Sequence, residues 1–255
     1  MTRPAVLVTG GARRIGAAIV RRFAAEGWHV VIHCNHSQAE AEKLVDTLPS
    51  AEIVQCDLLD SEAAIAMVER LAARLPDWRV LVNSASIFVP DEATGLDPET
   101  SRRSMRINAV SPVRMAQAFL KLARSPHGRR VIAITDQKLA NPNPDFFSYT
   151  MSKHALAATV PMLAMADVRE DDRTYALAPG AILPSYDQLT EEFEVSGRLN
   201  LLRRLTAADE IADAAVFLAQ GWLASGSTLF VDSGQHLLSQ RRDVLYLARE
   251  ERPGP

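Results

Sequence analysis

The sequence predicts an α/β protein, built as one doubly wound parallel sheet of about seven strands with helices on both faces. Three observations predict it. Short apolar runs alternate along the whole chain with amphipathic helical stretches, the pattern that strand–helix–strand units leave in a sequence. The first apolar run is followed at once by a glycine-rich turn and a helix. The 255 residues are 47% apolar and 23% charged, with no linker, repeat or low-complexity tract to divide them, so one domain over 1–255 is expected.

Taken in order, Ala5-Val6-Leu7-Val8 is the first strand, followed by the turn Thr9-Gly10-Gly11-Ala12-Arg13-Arg14-Ile15-Gly16. An amphipathic helix then runs to about residue 26, with Ile15, Ile19, Val20 and Phe23 on one stripe. Strand, glycine turn and helix together set backbone N–H groups and a helix N-terminus where a pyrophosphate can sit. His29-Val30-Val31-Ile32-His33-Cys34 is the second strand, and Asn35-His36-Ser37 is the turn after it. An NAD site of this type carries an acidic residue there for the adenosine ribose hydroxyls. This turn has none, and Arg13, Arg14, His36 and Ser37 offer partners for a 2′-phosphate, so NADP (as NADPH) is the expected cofactor.

A helix over 38–48 leads to a strand over 52–56 and then to Asp57-Leu58, where the aspartate either accepts from an adenine amine or caps the helix over 61–75. The fourth strand, 79–82, ends in Asn83-Ser84-Ala85-Ser86-Ile87-Phe88. One long helical stretch over 98–124 carries Asn108, a residue that is mildly disfavoured inside a helix. The fifth strand, 130–135, places Asp136 at its carboxyl end, and a loop through Asn141-Pro142-Asn143-Pro144 precedes a helix from about 147. Strand 174–177, Pro179-Gly180, a segment over 182–205 that reads as a mobile lid, a helix over 209–218 and a strand over 228–231 complete the alternation. In open α/β sheets ligands bind outside the carboxyl ends of the strands, which is where chain order puts Phe88 and Asp136.

Composition narrows the function. A net charge of −3 carries no nucleic-acid footprint, and no apolar run reaches the ~18–20 residues of a membrane span. The start shows no signal-peptide layout, so a cytoplasmic protein is expected. Cys34 and Cys56 sit in strand-like runs and read as buried thiols, with no metal site indicated.

The chemistry centres on Tyr149-Thr150-Met151-Ser152-Lys153, with Asp136 thirteen positions before the tyrosine. Residues four apart share a helix face, and a lysine ammonium there favours the phenolate, drawing the tyrosine down towards working pH. That makes Tyr149 a general acid for a carbonyl or imine under reduction.

Thr9 to Gly16, Asn83 to Ser86, Asn108, Tyr149 to Lys153, Pro179-Gly180 and Val231-Asp232-Ser233-Gly234 together resemble the short-chain dehydrogenase/reductase family, in order and over nearly the whole chain. The resemblance implies a Rossmann-type domain and a homotetramer. It implies Tyr149 as proton donor, Lys153 on the nicotinamide ribose and Asn108 anchoring a water relay. It also implies cofactor contacts from Gly10, Arg13, Arg14, Ile15, Asn35, His36, Ser37, Asp57, Leu58, Asn83, Ala85, Lys153, Pro179 and Gly180.

Three departures narrow it further. Arg14 replaces the middle glycine of the turn, Asn83-Ser84-Ala85-Ser86 replaces Asn-Asn-Ala-Gly, and Asp136 stands where the family has a serine. All three, with His33-Cys34-Asn35-His36-Ser37, are similar to the pteridine reductases and dihydromonapterin reductases. The implied substrate is then a small pterin-like molecule, contacted by Arg14, Ser86, Phe88, Asp136 and Tyr149. Reduction of another carbonyl or imine, and a non-catalytic NADP-binding regulator, are the alternatives. The tail from about 237 either forms a short helix docked on its own subunit or crosses to a partner, carrying Arg241 or Arg242 to the rim of the partner's pocket.

Overall fold

The apolar run Ala5–Val8 (β1) is buried at every position because both faces of the strand are covered. Val6 and Val8 point into one core with Val30, Ile32, Val80, Val82, Ile132 and Ile134. Ala5 and Leu7 point into the other, with Val31, Leu81 and Val131. The period-2 geometry of strands thus explains why these segments read as continuous apolar runs. The structure, a computed structural model, describes residues 3–166, 169–185 and 187–250.

Around β1 lie β2 (His29–Cys34), β3 (Ala51–Gln55), β4 (Trp78–Asn83), β5 (Arg130–Ile134), β6 (Arg173–Pro179) and β7 (Thr228–Val231). All pair in parallel, in the order β3-β2-β1-β4-β5-β6-β7. Chain direction across the sheet reverses between β1 and β4, which opens a crevice at their carboxyl ends. Helices α1 (Arg14–Ala25), α2 (Gln38–Val45) and α8 (Ala208–Ala219) cover one face. On the other lie α3 (Ser61–Arg74), α5 (Ser111–Leu122) and α6 (Phe147–Met165).

The predicted long helix over 98–124 is interrupted. It comprises α4 (Pro98–Met105), a wide π-helical turn over Arg106–Val110, and α5. Pro112 has no N–H to donate to the carbonyl four residues earlier, that of Asn108, so the ladder opens there. The wide turn carries Asn108, and its side chain leaves the helix to bind a neighbouring loop.

The predicted lid over 182–205 contains a helix, α7 (Thr190–Ser196), and Tyr186 lies outside the described residues. A helix of two turns is too short to show a 3.6-residue repeat. The tail forms α9 (Val244–Glu250), with Val244, Leu245 and Ala248 buried on its own chain. Arg242 pairs there with Asp145, and Arg241 is exposed. Of the two readings of the tail, the docked helix is the one this chain adopts, its apolar face covered within the chain. Cys34 and Cys56 are buried, unpaired and on opposite faces of the sheet.

The glycine turn after β1 is fixed by a histidine. His33, fully inside the sheet, accepts at Nδ1 from the Gly10 N–H at 3.1 Å and donates from Nε2 to the Cys56 carbonyl at 3.0 Å. Gly11 donates to the His33 carbonyl at 3.0 Å. This pattern requires neutral imidazole, and burial lowers its pKa to about 4. Unfolded His33 titrates near 6.5, so its stabilising share is complete above that pH and is lost as pH falls towards 4. We expect this residue alone to cost the protein about 2 kcal/mol between pH 7 and pH 5. Urea unfolding of the wild type and of His33→Gln at both pH values checks it: the difference between the two proteins should shrink at pH 5.

Candidate active site

The crevice at the switch point is a cleft of about 580 Å³. One end is walled by the glycine turn, where Gly10, Arg13, Arg14, Ile15 and Gly16 line it with Ala85 opposite. Gly10 has φ +63, and a Cβ there would meet the Ala85 Cα at 3.0 Å. A Cβ on Gly16 would stand 2.2 Å from the Gly10 carbonyl oxygen, so the helix can start this close to the turn only at glycine. Thr9 Oγ1 ties the turn to the end of β4 by accepting from the N–H groups of Ser84 and Ala85 at 2.9 and 3.0 Å. Helix α1 begins without a capping side chain and without an acid in its first turn. Its first N–H groups lack intrahelical acceptors, which is the donor set an anion needs.

The other end of the cleft is built on α6. Tyr149 Oη donates to Asp136 Oδ2 at 2.7 Å. Asp136 Oδ1 in turn accepts from the Lys138 N–H at 2.9 Å. Lys153 Nζ donates to the Ile134 carbonyl at 2.8 Å and lies 5.5 Å from the centre of the Tyr149 ring. Asn108 Oδ1 accepts from Ile87 N–H at 2.9 Å, while Nδ2 donates to the Ile87 carbonyl and to Ser152 Oγ, both at 3.0 Å. Ser152 Oγ donates to the Tyr149 carbonyl at 2.6 Å, so Asn108 couples the loop after β4 to the helix that carries the tyrosine.

Electrostatics reverse the expected shift of the tyrosine. Burial, then the Asp136 carboxylate beside it, push Tyr149 well above the ordinary phenol value. Burial also lowers Lys153 to about 8, with Asp136 acting against the change. Asp136 itself is raised by burial, opposed first by Lys138. The lysine does not pull Tyr149 down, because burial and the carboxylate 2.7 Å from its hydroxyl both push the other way. The tyrosine is therefore a protonated donor whose proton already points at a carboxylate.

The other predicted residues divide. Arg13, Arg14, Ile15, Ser86, Phe88, Pro179 and Gly180 line the cleft. Arg13 pairs with Glu40 of α2, at the side where the exposed His36 and the half-buried Asn35 and Ser37 follow β2. Arg14 does not join it. With φ +53, its guanidinium donates to the Pro184 carbonyl at 2.9 Å. Asp57 follows β3 with its carboxylate exposed and accepting from Leu59 N–H at 2.9 Å, and Asp60 caps α3. Leu58 is buried, its carbonyl held by Ser111. Asn83 turns inward and donates to the Pro112 carbonyl at 3.2 Å, away from the cleft.

Several residues that shape the site carried no motif. Asp91 accepts from the Ser148 N–H at 2.9 Å and from its hydroxyl, capping α6 from the loop after β4. Phe146, at φ +53, stacks on Phe88 with ring centres 3.9 Å apart. Phe88 meets the Tyr149 ring edge-on at 4.6 Å. Asp243, Val244 and Leu245 of the tail line the cleft as well.

A family model described as enoyl-(acyl carrier protein) reductase matches residues 10–236. The chain belongs to the short-chain dehydrogenase/reductase family. Among its solved members, FolM alternative dihydrofolate reductase 1 from Brucella suis, in complex with NADP, is 35% identical with a TM-score of 0.87, over 94% of this chain and 97% of that one. Pteridine reductase 1 from Leishmania tarentolae is 26% identical over 92% of this chain and 97% of its own. L-fucose dehydrogenase from Bos taurus is 29% identical over 91% of this chain and 89% of its own.

In this short-chain reductase an aspartate contacts the tyrosine hydroxyl, and its charge can be removed without changing its shape. In Asp136→Asn the Tyr149 pKa should fall towards that of an ordinary phenol, and Lys153 should fall below about 8, because one negative charge leaves both neighbours. Titration of tyrosinate absorbance, with Tyr149→Phe as the blank, reads the first shift. A midpoint unmoved by the substitution would mean that burial alone holds the tyrosine up.

Proposed function

We propose that this protein is an NADPH-dependent reductase of a pterin-type ring, either a dihydropterin or a dihydrofolate. The observation that carries the reading is the Tyr149–Asp136 pair at 2.7 Å in the cleft, beside the aromatic face of Phe88. A serine at position 136 would suit a ketone oxygen. A carboxyl suits a heterocycle that presents N–H donors and basic ring nitrogens on one edge, because it both accepts and protonates there. Phe88, 38% exposed, offers a flat surface worth roughly 0.5–1.5 kcal/mol to a stacked ring beyond burial.

The glycine cradle and the uncapped start of α1 fit a dinucleotide pyrophosphate, which would lie against the N–H groups of Arg14, Ile15 and Gly16. Arg13, with His36 and Ser37, would hold a 2′-phosphate, and Lys153 the nicotinamide ribose. When bound, NADPH supplies the hydride. The protein supplies the rest: Tyr149 or Asp136 delivers one proton to the ring atom beside the reduced carbon, and Lys153 balances the charge left on the pair. Arg14, held on the Pro184 carbonyl, closes the cleft above the reacting edge. Reduction of a carbonyl or imine outside a pterin ring is the second reading, favoured by the likeness to a sugar dehydrogenase.

NADPH oxidation against dihydrobiopterin, dihydrofolate, dihydromonapterin and simple ketones decides between them, with turnover expected for at least one pterin. Tyr149→Phe should lose more than about a hundredfold in kcat with NADPH affinity kept, since only the acid is removed. Phe88→Ala should raise KM for the pterin with little change in NADPH affinity. Ketone turnover without pterin turnover would sink the pterin reading.

NADPH should exceed NADH in kcat/KM by at least about tenfold, the value of one charge-assisted phosphate contact. In Arg13→Ala the preference should shrink towards unity. Equal kcat/KM for the two cofactors in the wild type would remove the phosphate site.

A further inference from the structure

The cleft has a wall that the motifs did not announce. Leu245 of α9 is 2% exposed and packs with Phe146 and Tyr149. Asp243, Val244 and Leu245 line the cleft on the side where the tyrosine and Asp136 stand. The segment that carries them is tied at both ends by charge.

At its start, Asp243 Oδ2 lies 2.7 Å from Lys138 Nζ, with both side chains all but withdrawn from solvent. Asp243 N–H donates to Asp145 Oδ2 at 2.7 Å, and Arg242 Nε donates to the same oxygen at 2.8 Å. Lys138 is also the residue whose amide orients Asp136. One residue therefore holds the catalytic carboxylate through its backbone and the wall through its ammonium. At its other end, Arg249 Nε donates to Glu192 Oε1 at 3.1 Å and Nη2 to the Asp187 carboxylate at 3.2 Å. Glu192 accepts in turn from Leu189 N–H at 3.0 Å and so sets the first turn of α7. A seven-residue helix thus bridges the loop after β5 and the segment after β6. Isolated, it would be too short to hold its shape, so the ion pairs and its buried face fix its position.

We propose that residues 242–249 form the wall that limits substrate size, with Leu245 as the specificity-determining contact and the buried Lys138–Asp243 pair as the positioning lock. The inference requires a reductase but no particular ring system. Removing one partner of a buried pair leaves an uncompensated charge, so loss of Asp243 should release the wall rather than merely weaken it.

The test uses the full-length protein. The substrates are a small and a bulky member of whichever class the wild type reduces: dihydrobiopterin and dihydrofolate, or cyclohexanone and 2-tetralone. Leu245→Ala should raise the bulky-to-small ratio of kcat/KM by about tenfold and Leu245→Phe should lower it by a similar factor, the scale expected for a few methylene groups in a pocket. NADPH affinity should stay unchanged in both. A purely structural role would lower turnover of both substrates without moving their ratio.

Hydrogen exchange, which needs no substrate, reads the lock. In Asp243→Asn and separately in Arg249→Met, amides of 190–196 and 244–250 should lose protection together, while those of β5 keep theirs. Unmoved size ratios in both Leu245 variants, or a loss of protection in 244–250 that leaves 190–196 untouched, would overturn the proposal. Failure of the pterin reading would appear separately, in the wild-type substrate panel.

Discussion

The hydrogen bond between Tyr149 and Asp136 is the interaction on which the site depends. Neither residue can reach it without a precise meeting of two elements, the carboxyl end of β5 and the first turn of α6. That first turn is entered through Phe146 in a left-handed backbone conformation, which costs a bulky residue roughly 1–2 kcal/mol. The strain is offset on every side. Phe88 and Tyr246 stack on the Phe146 ring, and the Lys138 ammonium lies 5.1 Å from its centre. Asp91 satisfies the Ser148 N–H at the start of the helix. The tyrosine is aimed by a cluster drawn from four separate parts of the chain.

The same dependence decides what could be read from the sequence. The strands were legible because burial on both faces of a parallel sheet leaves uninterrupted apolar runs, as in Val30-Val31-Ile32. The Tyr149–Lys153 spacing was legible because a helix brings those positions together locally. Less could be read wherever a partner lies far along the chain. Asp91 caps a helix 57 residues later, Arg242 pairs 97 residues back, and Arg14 crosses to a carbonyl 170 residues on. None of these leaves a local pattern. The interrupted helix around Asn108 is an intermediate case, because Pro112 signalled a missing donor and only the fold shows what the opened turn is used for. The direction of the tyrosine shift failed for a related reason: spacing showed the lysine, but only geometry shows that Asp136 stands nearer to the hydroxyl.

Lys153 is also set by distant contacts. Its ammonium spends one hydrogen bond on the Ile134 carbonyl and lies against the tyrosine ring rather than its hydroxyl. An ammonium in that position does little to ionise the phenol. It does compensate Asp136, so that two opposite charges stand together in the wall of the cleft. Burial raises the acid and lowers the base; Lys138 first, then Tyr149 and Lys153, oppose the rise of Asp136, and Asp136 opposes the fall of Lys153.

From this follows a reason for an aspartate in the place of a serine. A serine hydroxyl can pass a hydrogen bond along but cannot store a proton. A carboxylate can take one up, and this one already accepts a hydrogen bond from a phenol whose pKa is raised by burial. A proton moving between the two oxygens changes the net charge of the cleft by nothing, whereas its delivery to a substrate atom leaves the pair with one more negative charge, which neighbouring ammonium groups must balance. The charge that remains after delivery sits between Lys153 and Lys138, whose ammonium is itself engaged with Asp243. In the proposed reaction the proton reserve, the compensating lysine and the wall of the cleft are therefore parts of one electrostatic arrangement, and the charges of Asp136 and Asp243 are both felt at the tyrosine.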